Sequence, residues 1–159
     1  MSEIKYRKAI SKDANAISLL WAEFFDYHFS VDPLYQRKKD SEKEIAELLL
    51  KAVDDENKFI CVAKYNESLI GYIWCEIDKK PSCYENRFYG LVSDIAVTKK
   101  YRDQGIAKSL LKNGLDWFKT KNIKHVEARV LLANPLATKF WTSSGFEPFI
   151  EIFRYKLNK

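Results

Sequence analysis

The stretch from Leu91 to Leu111 reads Leu-Val-Ser-Asp-Ile-Ala-Val-Thr-Lys-Lys-Tyr-Arg-Asp-Gln-Gly-Ile-Ala-Lys-Ser-Leu-Leu. It begins as an apolar, β-branched run typical of a buried strand and ends with apolar residues at helical spacing. Between the two lies a basic turn with one glycine, Gly105. A strand that turns into a helix through glycine leaves the first-turn amides of the helix unpaired at the positive end of its dipole, where phosphate binds. Four basic residues surround this turn: Lys99, Lys100, Arg102 and Lys108.

The length and composition of the chain predict one folded domain over residues 1–159. A chain of this size buries roughly two-thirds of its unfolded surface. Ten Phe, nine Tyr and four Trp argue against disorder, because such a chain has enough apolar surface to form a core. We expect a single domain that needs no disulfide or metal to fold.

The formal charge of +5 raises the question of a polyanionic partner. The basic clusters at residues 37–39 and 99–102 are short and are flanked by acids, and no run of five Lys or Arg occurs. A solvated surface therefore explains most of the charge better than nucleic-acid binding, which would show strong salt dependence. We expect no nucleic-acid partner.

The three cysteines, Cys61, Cys75 and Cys83, form no CxxC pair. Two of them lie in apolar runs, where cysteine acts as a small buried hydrophobic residue. This usage suits a reducing compartment, and the N-terminal residues contain no apolar signal segment. We expect a cytoplasmic protein with no metal site and no membrane partner, since no apolar run approaches the ~18 residues that span a bilayer.

The first part of the chain predicts a strand followed by a helix. Residues 4–10 alternate in the strand manner, and residues 11–13 offer N-cap side chains for a helix running to about Phe29. Pro33 breaks this helix because it biases the preceding residue away from helical geometry. The predicted buried face, at three-and-four spacing, consists of Ala16, Leu19, Leu20, Glu23, Phe24 and Tyr27.

A second helix is predicted over residues 41–54. Its N-terminus has the capping-box pattern, in which Ser41 bonds to the backbone three residues on and Glu44 reaches back. The apolar runs at 59–63 and 69–77 then predict two strands.

A short turn at residues 66–68 predicts that these two strands form an antiparallel hairpin. Gly71 in the second strand marks a bulge or the close approach of another backbone. The remaining pattern predicts a strand, a helix, a strand, a short helix and a last strand at 87–98, 105–121, 125–132, 134–145 and 146–157. The order as a whole predicts an α/β (α+β) fold with helices on both faces of a mixed, mainly antiparallel sheet.

Two motifs resemble those of a known superfamily. The loop Arg102-Asp103-Gln104-Gly105-Ile106-Ala107 resembles the Arg/Gln-x-x-Gly-x-Gly/Ala loop of the GNAT superfamily of acetyl-CoA-dependent N-acetyltransferases. The strand and turn before it, Asp94-Ile95-Ala96-Val97-x-x-x-Tyr101-Arg102, are also similar to that family. Downstream, Asn134-Pro135-x-Ala137-x-x-Phe140-Trp141-x-x-x-Gly145-Phe146 resembles the second signature. The likeness covers essentially the whole chain and implies the GNAT-like fold.

This resemblance implies acetyl-CoA as the cofactor. The pyrophosphate would lie on the amides of residues 104–108, and the pantetheine arm would pair with the backbone of Ile95 and Val97, so the next strand must splay away. Asn134 matches a position that hydrogen-bonds the pantetheine, although a helix N-cap is an equally simple role for it. The residues that the resemblance assigns to the cofactor are Ile95, Ala96, Val97, Arg102, Asp103, Gln104, Gly105, Ile106, Ala107, Lys108, Asn134, Ala137, Lys139 and Phe140.

The reaction implied is direct attack of a neutral amine on the thioester carbonyl, with backbone N–H donors near Val97 stabilising the oxyanion. The family's tyrosine, which protonates the leaving thiolate, would fall at Trp141, which has no acidic hydroxyl. We therefore expect the thiolate to leave unassisted or with the help of a water. His28 is expected to pack at the rim of the site and His125 to be structural.

The general base is less defined by the sequence. Many relatives carry a carboxylate at the position of Ser93, and the neighbouring Asp94 would point to the opposite face in a regular strand. Only one of the two could then face the substrate, so Asp94 is either the base or a structural residue. Glu76 on the neighbouring strand is a further candidate, as are Tyr84, Glu85 and an ordered water.

Aromatic residues predict the acceptor slot: Tyr27, Phe29, Tyr35, Trp74, Tyr84 and Tyr89. Aromatic rings beside carboxylates suit a cationic amine. The expected function is acetyl transfer to a primary amine of a small molecule or peptide, and the alternative is a non-catalytic acyl-CoA-binding or sensing module. The family alone suggests a homodimer through the C-terminal strand.

Overall fold

The computed structural model describes residues 3–157 and contains one five-stranded sheet with the strand order β1-β2-β3-β4-β5. The described part of the chain forms two compact units, which divide between Arg129 and Val130. The strands are β1 (Lys5–Lys8), β2 (Lys58–Tyr65), β3 (Ser68–Lys79), β4 (Phe88–Val97) and β5 (Val126–Ala128). The helices are α1 (Ala14–Val31), α2 (Ser41–Ala52), α3 (Ile106–Thr120) and α4 (Pro135–Ser143). The sheet and the first three helices belong to the first unit, and α4 belongs to the second.

The sheet is mixed and mainly antiparallel, as the sequence predicted. The first four strands pair antiparallel in sequence order. β5 runs parallel to β4 and pairs with it only from Gly90 to Val92. The fold class is therefore confirmed.

Helices cover both faces of the sheet in the first unit. On one face, Ile17 of α1 and Leu49 of α2 pack in a buried cluster with Tyr72 of β3. On the other face, the ring of Trp117 in α3 stacks on Phe59 of β2 with the centroids 5.5 Å apart. The two helical layers therefore enclose separate halves of the core, because successive side chains of a strand point to opposite faces.

The β2–β3 hairpin confirms two details of the prediction. Asn66 in the turn has a positive φ of 52°, a conformation that asparagine tolerates. A Cβ on Gly71 would lie 2.8 Å from the carbonyl oxygen of Ala96. The pairing also shifts register between Ala63 and Lys64, beside that glycine. Gly71 thus marks both an irregularity and a close backbone approach.

The predicted buried face of the first helix was wrong. Ala16, Leu19 and Glu23 are exposed, Leu19 by 64%. The face that packs on the sheet is shifted by two residues along the helix and carries Ala14, Ile17, Ser18 and Ala22. Apolar residues lie nearly all round this helix, so periodicity alone did not define which side the sheet would cover.

The capping box predicted at Ser41 does not form. α2 begins at Ser41 itself, and the N-cap is Asp40, which has a positive φ of 59° and makes no side-chain cap bond. The Ser41 hydroxyl instead lies 3.5 Å from Nη1 of Arg37. Arg37 joins Asp26 of α1 to Glu42 of α2, and this ion-pair bridge positions the helix start.

The predicted last strand over residues 146–157 is also wrong, since no strand follows β5 in the part of the chain that the structure describes. A strand requires a neighbouring strand for its hydrogen bonds, and within residues 3–157 such pairing joins only β1 to β5. Side chains of this segment are largely exposed, Phe153 by 88%. The strand expected at 125–132 is shorter than predicted, because β5 ends at Ala128.

None of the described helices is both long and apolar enough to cross a lipid bilayer.

Candidate active site

A β-bulge at Ser93 shapes the site. In the pairing of β3 with β4, Trp74 lies opposite Asp94 and Cys75 lies opposite Val92. Ser93 is therefore an extra residue in β4, and the register shifts at this point. A bulge of this kind bends the strand and redirects the side chains beside it.

Glu76 of β3 is joined to the bulge. The Ser93 hydroxyl donates a 2.5 Å hydrogen bond to Oε1 of Glu76. The other carboxylate oxygen of Glu76 lies 3.9 Å from Nζ of Lys58. The hydroxyl and the ammonium therefore hold the Glu76 carboxylate on the face that also carries Trp74, two residues earlier in β3.

Asp94, which follows Ser93 in β4, has a strongly raised pKa. Burial, and next the negative charge of Glu76, raise the pKa of Asp94 from 3.8 to about 7. Both effects disfavour the ionised form. A carboxyl group that titrates near neutrality can accept a proton from a substrate and release it again at physiological pH.

The bulge overturns the expectation that Ser93 and Asp94 are segregated to opposite faces of the strand. Ser93 contacts Glu76 through its hydroxyl, and the charge of Glu76 acts on Asp94. The three residues therefore form one cluster. The period-two argument failed because it assumes an unbroken strand, and the sequence contains no glycine or proline at this position to reveal the bulge.

Two buried polar atoms on the face of β3 that carries Glu76 have no hydrogen-bond partner in the described part of the chain. They are Oη of Tyr72 and Nε1 of Trp74. Tyr72 was not among the site residues predicted from the sequence. The detectable signal was its position two residues before Trp74, which places both side chains on one face of β3.

The N-terminus of α3 has the geometry of an anion site. Its N-cap is Gly105, which has a φ of 76° and no side-chain cap bond. Ser109 is the first residue whose amide bonds back to the turn, at 3.0 Å from the Gly105 carbonyl. The amides of residues 106–108 precede it and have no intrahelical acceptor. This cradle fits a phosphate or pyrophosphate group.

Two contacts hold the turn between β4 and α3. Arg102 folds back on its own strand, and its Nε donates to the Val97 carbonyl at 2.9 Å. The amide of Lys99 donates to the Glu23 carboxylate of α1 at 3.2 Å. Arg102 and Glu23 thus stabilise the conformation of the turn between β4 and α3.

Beyond Val92, no strand within the described residues pairs with β4 on the side of β5, although the Val97 carbonyl accepts from Nε of Arg102. Ile95, Ala96 and Val97 pair with β3 on one side, whereas β5 pairs with β4 only up to Val92. An open strand edge can accept an extended chain by main-chain hydrogen bonding. The splay expected between these strands stays a prediction, because β5 itself ends at Ala128, opposite Val92.

The second unit contains the other predicted signature. The side chain of Asn134 is buried and caps α4 by accepting from the amide of Ala137 at 3.1 Å. Trp141 is buried and packs edge-on against Phe140 and Phe146. Lys139 is exposed. The N-cap role of Asn134 is confirmed, and Trp141 packs as an apolar residue.

The predicted aromatic slot is only partly brought together. Tyr27 and Tyr35 lie around the ring of His28, with centroids 6.2 and 5.8 Å from it. Nδ1 of His28 lies 2.9 Å from the Phe24 carbonyl, so His28 packs as expected. Phe29 lines an open depression of about 350 Å³ beside Arg37. Trp74 lies in β3, opposite Asp94 of β4.

Three other candidate residues lie in the loop between β3 and β4 or just after it. Tyr84 and Glu85 are exposed in the loop between β3 and β4. Tyr89 is buried, and its hydroxyl donates to Asp78 at 2.8 Å. Burial, together with this bond, raises the pKa of Tyr89 to about 12.

His125 lies directly before β5. Its Nε2 bonds to the Glu127 carboxylate at 2.8 Å, and its ring stacks on Tyr89. These contacts are consistent with a structural residue.

Among residues 3–157, no cluster of three or more His, Cys, Asp or Glu side chains is arranged to hold a metal ion.

Comparison with known proteins places this geometry in a family context. The profile of the Acetyltransferase (GNAT) family matches residues 15–146. N-alpha-acetyltransferase 30 of Schizosaccharomyces pombe is 30% identical over 101 residues, which are 64% of this chain and 65% of that protein. An uncharacterized N-acetyltransferase of Archaeoglobus fulgidus is 24% identical over 140 residues, which are 88% of this chain and 90% of that protein.

The aligned segment spans only part of several of these relatives. The matched segment is 65% of the Schizosaccharomyces pombe protein, 53% of an uncharacterized N-acetyltransferase of Methanocaldococcus jannaschii and 26% of human N-alpha-acetyltransferase 30. These relatives therefore contain long stretches with no counterpart in the alignment.

Solved structures share the fold at low sequence identity. A mutant of the BH1408 protein from Bacillus halodurans superposes with a TM-score of 0.88 at 18% identity, covering 97% of this chain and 99% of that one. The aminoglycoside N-acetyltransferase AAC(6')-Iy, solved with a bisubstrate analogue, gives a TM-score of 0.73 at 18% identity, covering 99% and 100%. Because the family profile matches well over half of its residues, the chain belongs to the GNAT family of acetyltransferases.

Proposed function

We propose that this protein is an acetyl-CoA-dependent N-acetyltransferase that moves an acetyl group to a primary amine of a small molecule or peptide by direct attack. The observation that carries the proposal is the placement of Asp94. This carboxyl, with its pKa raised to about 7, lies on the strand that leads into the uncapped N-terminus of α3. A proton acceptor and an anion cradle are thus built on one continuous segment.

The cofactor would supply an acetyl group activated as a thioester. The amides of residues 104–108 are the proposed site of its pyrophosphate, and the left-handed Gly105 at the uncapped helix end supports this. The backbone of Ile95 and Val97 is the proposed site of the pantetheine arm, supported by the end of the β4–β5 pairing at Val92. The family resemblance adds Ala96, Arg102, Asp103, Asn134, Ala137, Lys139 and Phe140 to the proposed contacts.

Asp94 is the proposed general base. It would take the proton from the ammonium form of the acceptor, so that the neutral amine can attack. Burial and, next, the negative charge of Glu76 keep Asp94 basic enough for this step, and the Ser93 hydroxyl fixes Glu76. Trp141 offers no acidic hydrogen to the leaving thiolate, which would depart unassisted or take a proton from water.

The proposed acceptor is a cationic primary amine. Glu76 and Asp94 attract such a group, and Trp74 lies beside them. Tyr27, Phe29, Tyr35, Tyr84 and Tyr89 remain proposed contacts for the rest of the acceptor. Similar proteins support both a peptide and a small-molecule amine as acceptor. One is an N-alpha-acetyltransferase and another is an aminoglycoside N-acetyltransferase.

A thiol-release assay with acetyl-CoA and a panel of peptides, polyamines and aminoglycosides tests the proposal. We expect turnover with at least one amine, and at least a hundredfold loss of kcat in D94N, in line with the ~10²–10⁴-fold contribution of a general base. S82A, in the exposed loop between β3 and β4, is the matched control. Calorimetric binding of acetyl-CoA with no turnover on any amine would favour the acyl-CoA-binding alternative.

We propose further that both units form one N-acetyltransferase domain over residues 1–159, because the family match extends across their boundary. The free thiols of Cys61, Cys75 and Cys83 support a cytoplasmic location. Exposed apolar residues near the C-terminus, Ile152 and Phe153 among them, support a homodimer. Light scattering of the purified chain tests the dimer, and a monomer at all concentrations would exclude it.

A further inference from the structure

Two hydrogen-bonding atoms of β3 are buried without a partner in the described residues, Oη of Tyr72 and Nε1 of Trp74. Tyr72 is 0% exposed, so water does not reach its hydroxyl at the surface. Leaving a buried donor unpaired is unfavourable and uncommon in native proteins. An explanation is needed for two such atoms on neighbouring positions of one strand face.

The register of β3 and β4 places both side chains on the sheet face that carries Asp94. Trp74 lies directly opposite Asp94, and Tyr72 lies opposite Ala96, the next residue of β4 on that face. Directly opposed and diagonal side chains on one sheet face are close enough for aromatic residues to interact. The charge of Asp94 also acts on the Tyr72 hydroxyl, whose pKa is raised by burial and, next, by that charge.

The chemistry of the two atoms suits one protonation state of Asp94. An indole N–H can only donate, and a phenol O–H donates readily at neutral pH. An ionised carboxylate can only accept, and it has room for several donors, whereas the protonated form is a poorer acceptor. Two unused donors beside a carboxyl therefore match its ionised form.

We propose that Tyr72 and Trp74 are positioning residues that donate hydrogen bonds to the ionised carboxylate of Asp94, which turns toward them when it releases its proton. This proposal deepens, and rests on, the assignment of Asp94 as general base in the proposed acetyl transfer. Proton uptake from the acceptor ammonium would release the side chain again. The two donors would thus return Asp94 to the same ionised position before each turnover.

Other charged groups near this face have other partners. From β3, Glu76 bonds to Ser93 and lies near Lys58. From β5, Glu127 lies near Lys80 and His125. In α1, Glu23 accepts the Lys99 amide, and the rings of Tyr27 and His28 contact each other. Of these groups only Glu76 perturbs Asp94, and it acts against ionisation.

The test is a carboxyl titration followed by ¹³C NMR of the full chain without cofactor or acceptor, in wild type, Y72F and W74F. The D94N spectrum assigns the Asp94 signal. Y72F removes one oxygen and keeps the ring, so the packing of the core is preserved. We expect its Asp94 midpoint to move to higher pH, with the acid dissociation constant lowered roughly tenfold, as for loss of a hydrogen bond to a charged group. W74F should act in the same direction.

Y89F is the matched control. It also removes a buried tyrosine hydroxyl, but one that donates to Asp78. It should raise the titration midpoint of Asp78 and leave that of Asp94 in place. An Asp94 midpoint that is unchanged in both Y72F and W74F would overturn the proposal. In that case Y72F would only remove an unpaired polar atom. It would then be more stable than wild type to the same extent at pH 5 and pH 8.

The titration also separates this proposal from the proposed function. It requires no substrate, so its outcome stands even if no amine is acetylated. If the protein is active, the acidic limb of kcat/KM should move with the Asp94 midpoint in Y72F, while kcat on the plateau changes little. If the Asp94 midpoint moves but the acidic limb stays in place, the hydrogen bonds to Asp94 are supported and Asp94 is excluded as the base.

Discussion

Replacing Asp94 with asparagine should stabilise the protein relative to wild type. The gain should be larger at pH 8 than at pH 5. The pKa of Asp94 is raised from 3.8 to about 7 in the folded chain. The folded state therefore binds this proton more tightly than the unfolded state does. The stability that results is fully present below the unfolded pKa, near pH 4, and is lost as the pH rises through 7.

The magnitude follows from the two pKa values. Each pKa unit corresponds to about 1.4 kcal/mol, so the ionised carboxylate lowers the free energy of unfolding by up to about 4 kcal/mol above pH 7. About 2.5 kcal/mol of this loss falls between pH 5 and pH 8. For a chain of this size, that corresponds to a difference in thermal midpoint of roughly 5–10 °C.

Thermal unfolding of wild type and D94N at pH 5 and pH 8, followed by circular dichroism, measures this difference. The midpoint of D94N should exceed that of wild type by a margin that grows by roughly 5–10 °C from pH 5 to pH 8. An equal margin at both pH values would refute the reasoning, because Asp94 would then be ionised throughout this range. It could not in that case be a base poised near neutrality.

D78N provides a control of opposite sign. The backbone N–H of Lys79 and then the hydroxyl of Tyr89 lower the pKa of Asp78. The stability from this group is present above its unfolded pKa and is lost only as the pH falls through the lower, folded pKa. D78N should therefore unfold at a lower temperature than wild type at both pH 5 and pH 8, by a similar margin.

Three further changes test other parts of the site. E76Q removes the charge that helps to raise the pKa of Asp94, so the acidic limb of the kcat/KM profile should move to lower pH; a limb that does not move would contradict this coupling. G105A forces an alanine into a backbone with φ of 76°, although its Cβ would meet no atom within 4 Å. It should lower the free energy of unfolding by about 1 kcal/mol and weaken coenzyme A binding in calorimetry. Unchanged values in both measurements would show that the turn adapts. N134A removes the cap on the Ala137 amide and should lower the free energy of unfolding in urea by about 1 kcal/mol. N134S can still cap and should retain most of the wild-type stability. Equal losses in the two variants would argue against capping.

Local patterns predicted most of the elements correctly. The strand, turn and helix from Leu91 to Leu111 were readable because the apolar spacing and Gly105 act within a few residues of one another. The hairpin turn at residues 66–68 and the cap at Asn134 were readable for the same reason. The family motifs lie in such locally determined segments.

Features that depend on a neighbouring element were predicted poorly. The buried face of α1 was wrong because the sheet, and not the helix, decides which side is covered. The strand expected at 146–157 was wrong because strand structure requires a pairing partner that spacing cannot supply. The capping box at Ser41 was displaced by the ion-pair bridge of Arg37.

The sequence by itself determined the strand–turn–helix that forms the anion cradle, because the conformation of Gly105 and the unpaired amides after it are properties of the local backbone. Only the tertiary structure decided the carboxylate cluster. The bulge at Ser93 arises in the pairing of β4 with β3, and it brings Ser93, Glu76 and Asp94 together. The pKa of Asp94 is raised by burial and by a charge from another strand, and both depend on distances through space that the order of residues along the chain does not contain.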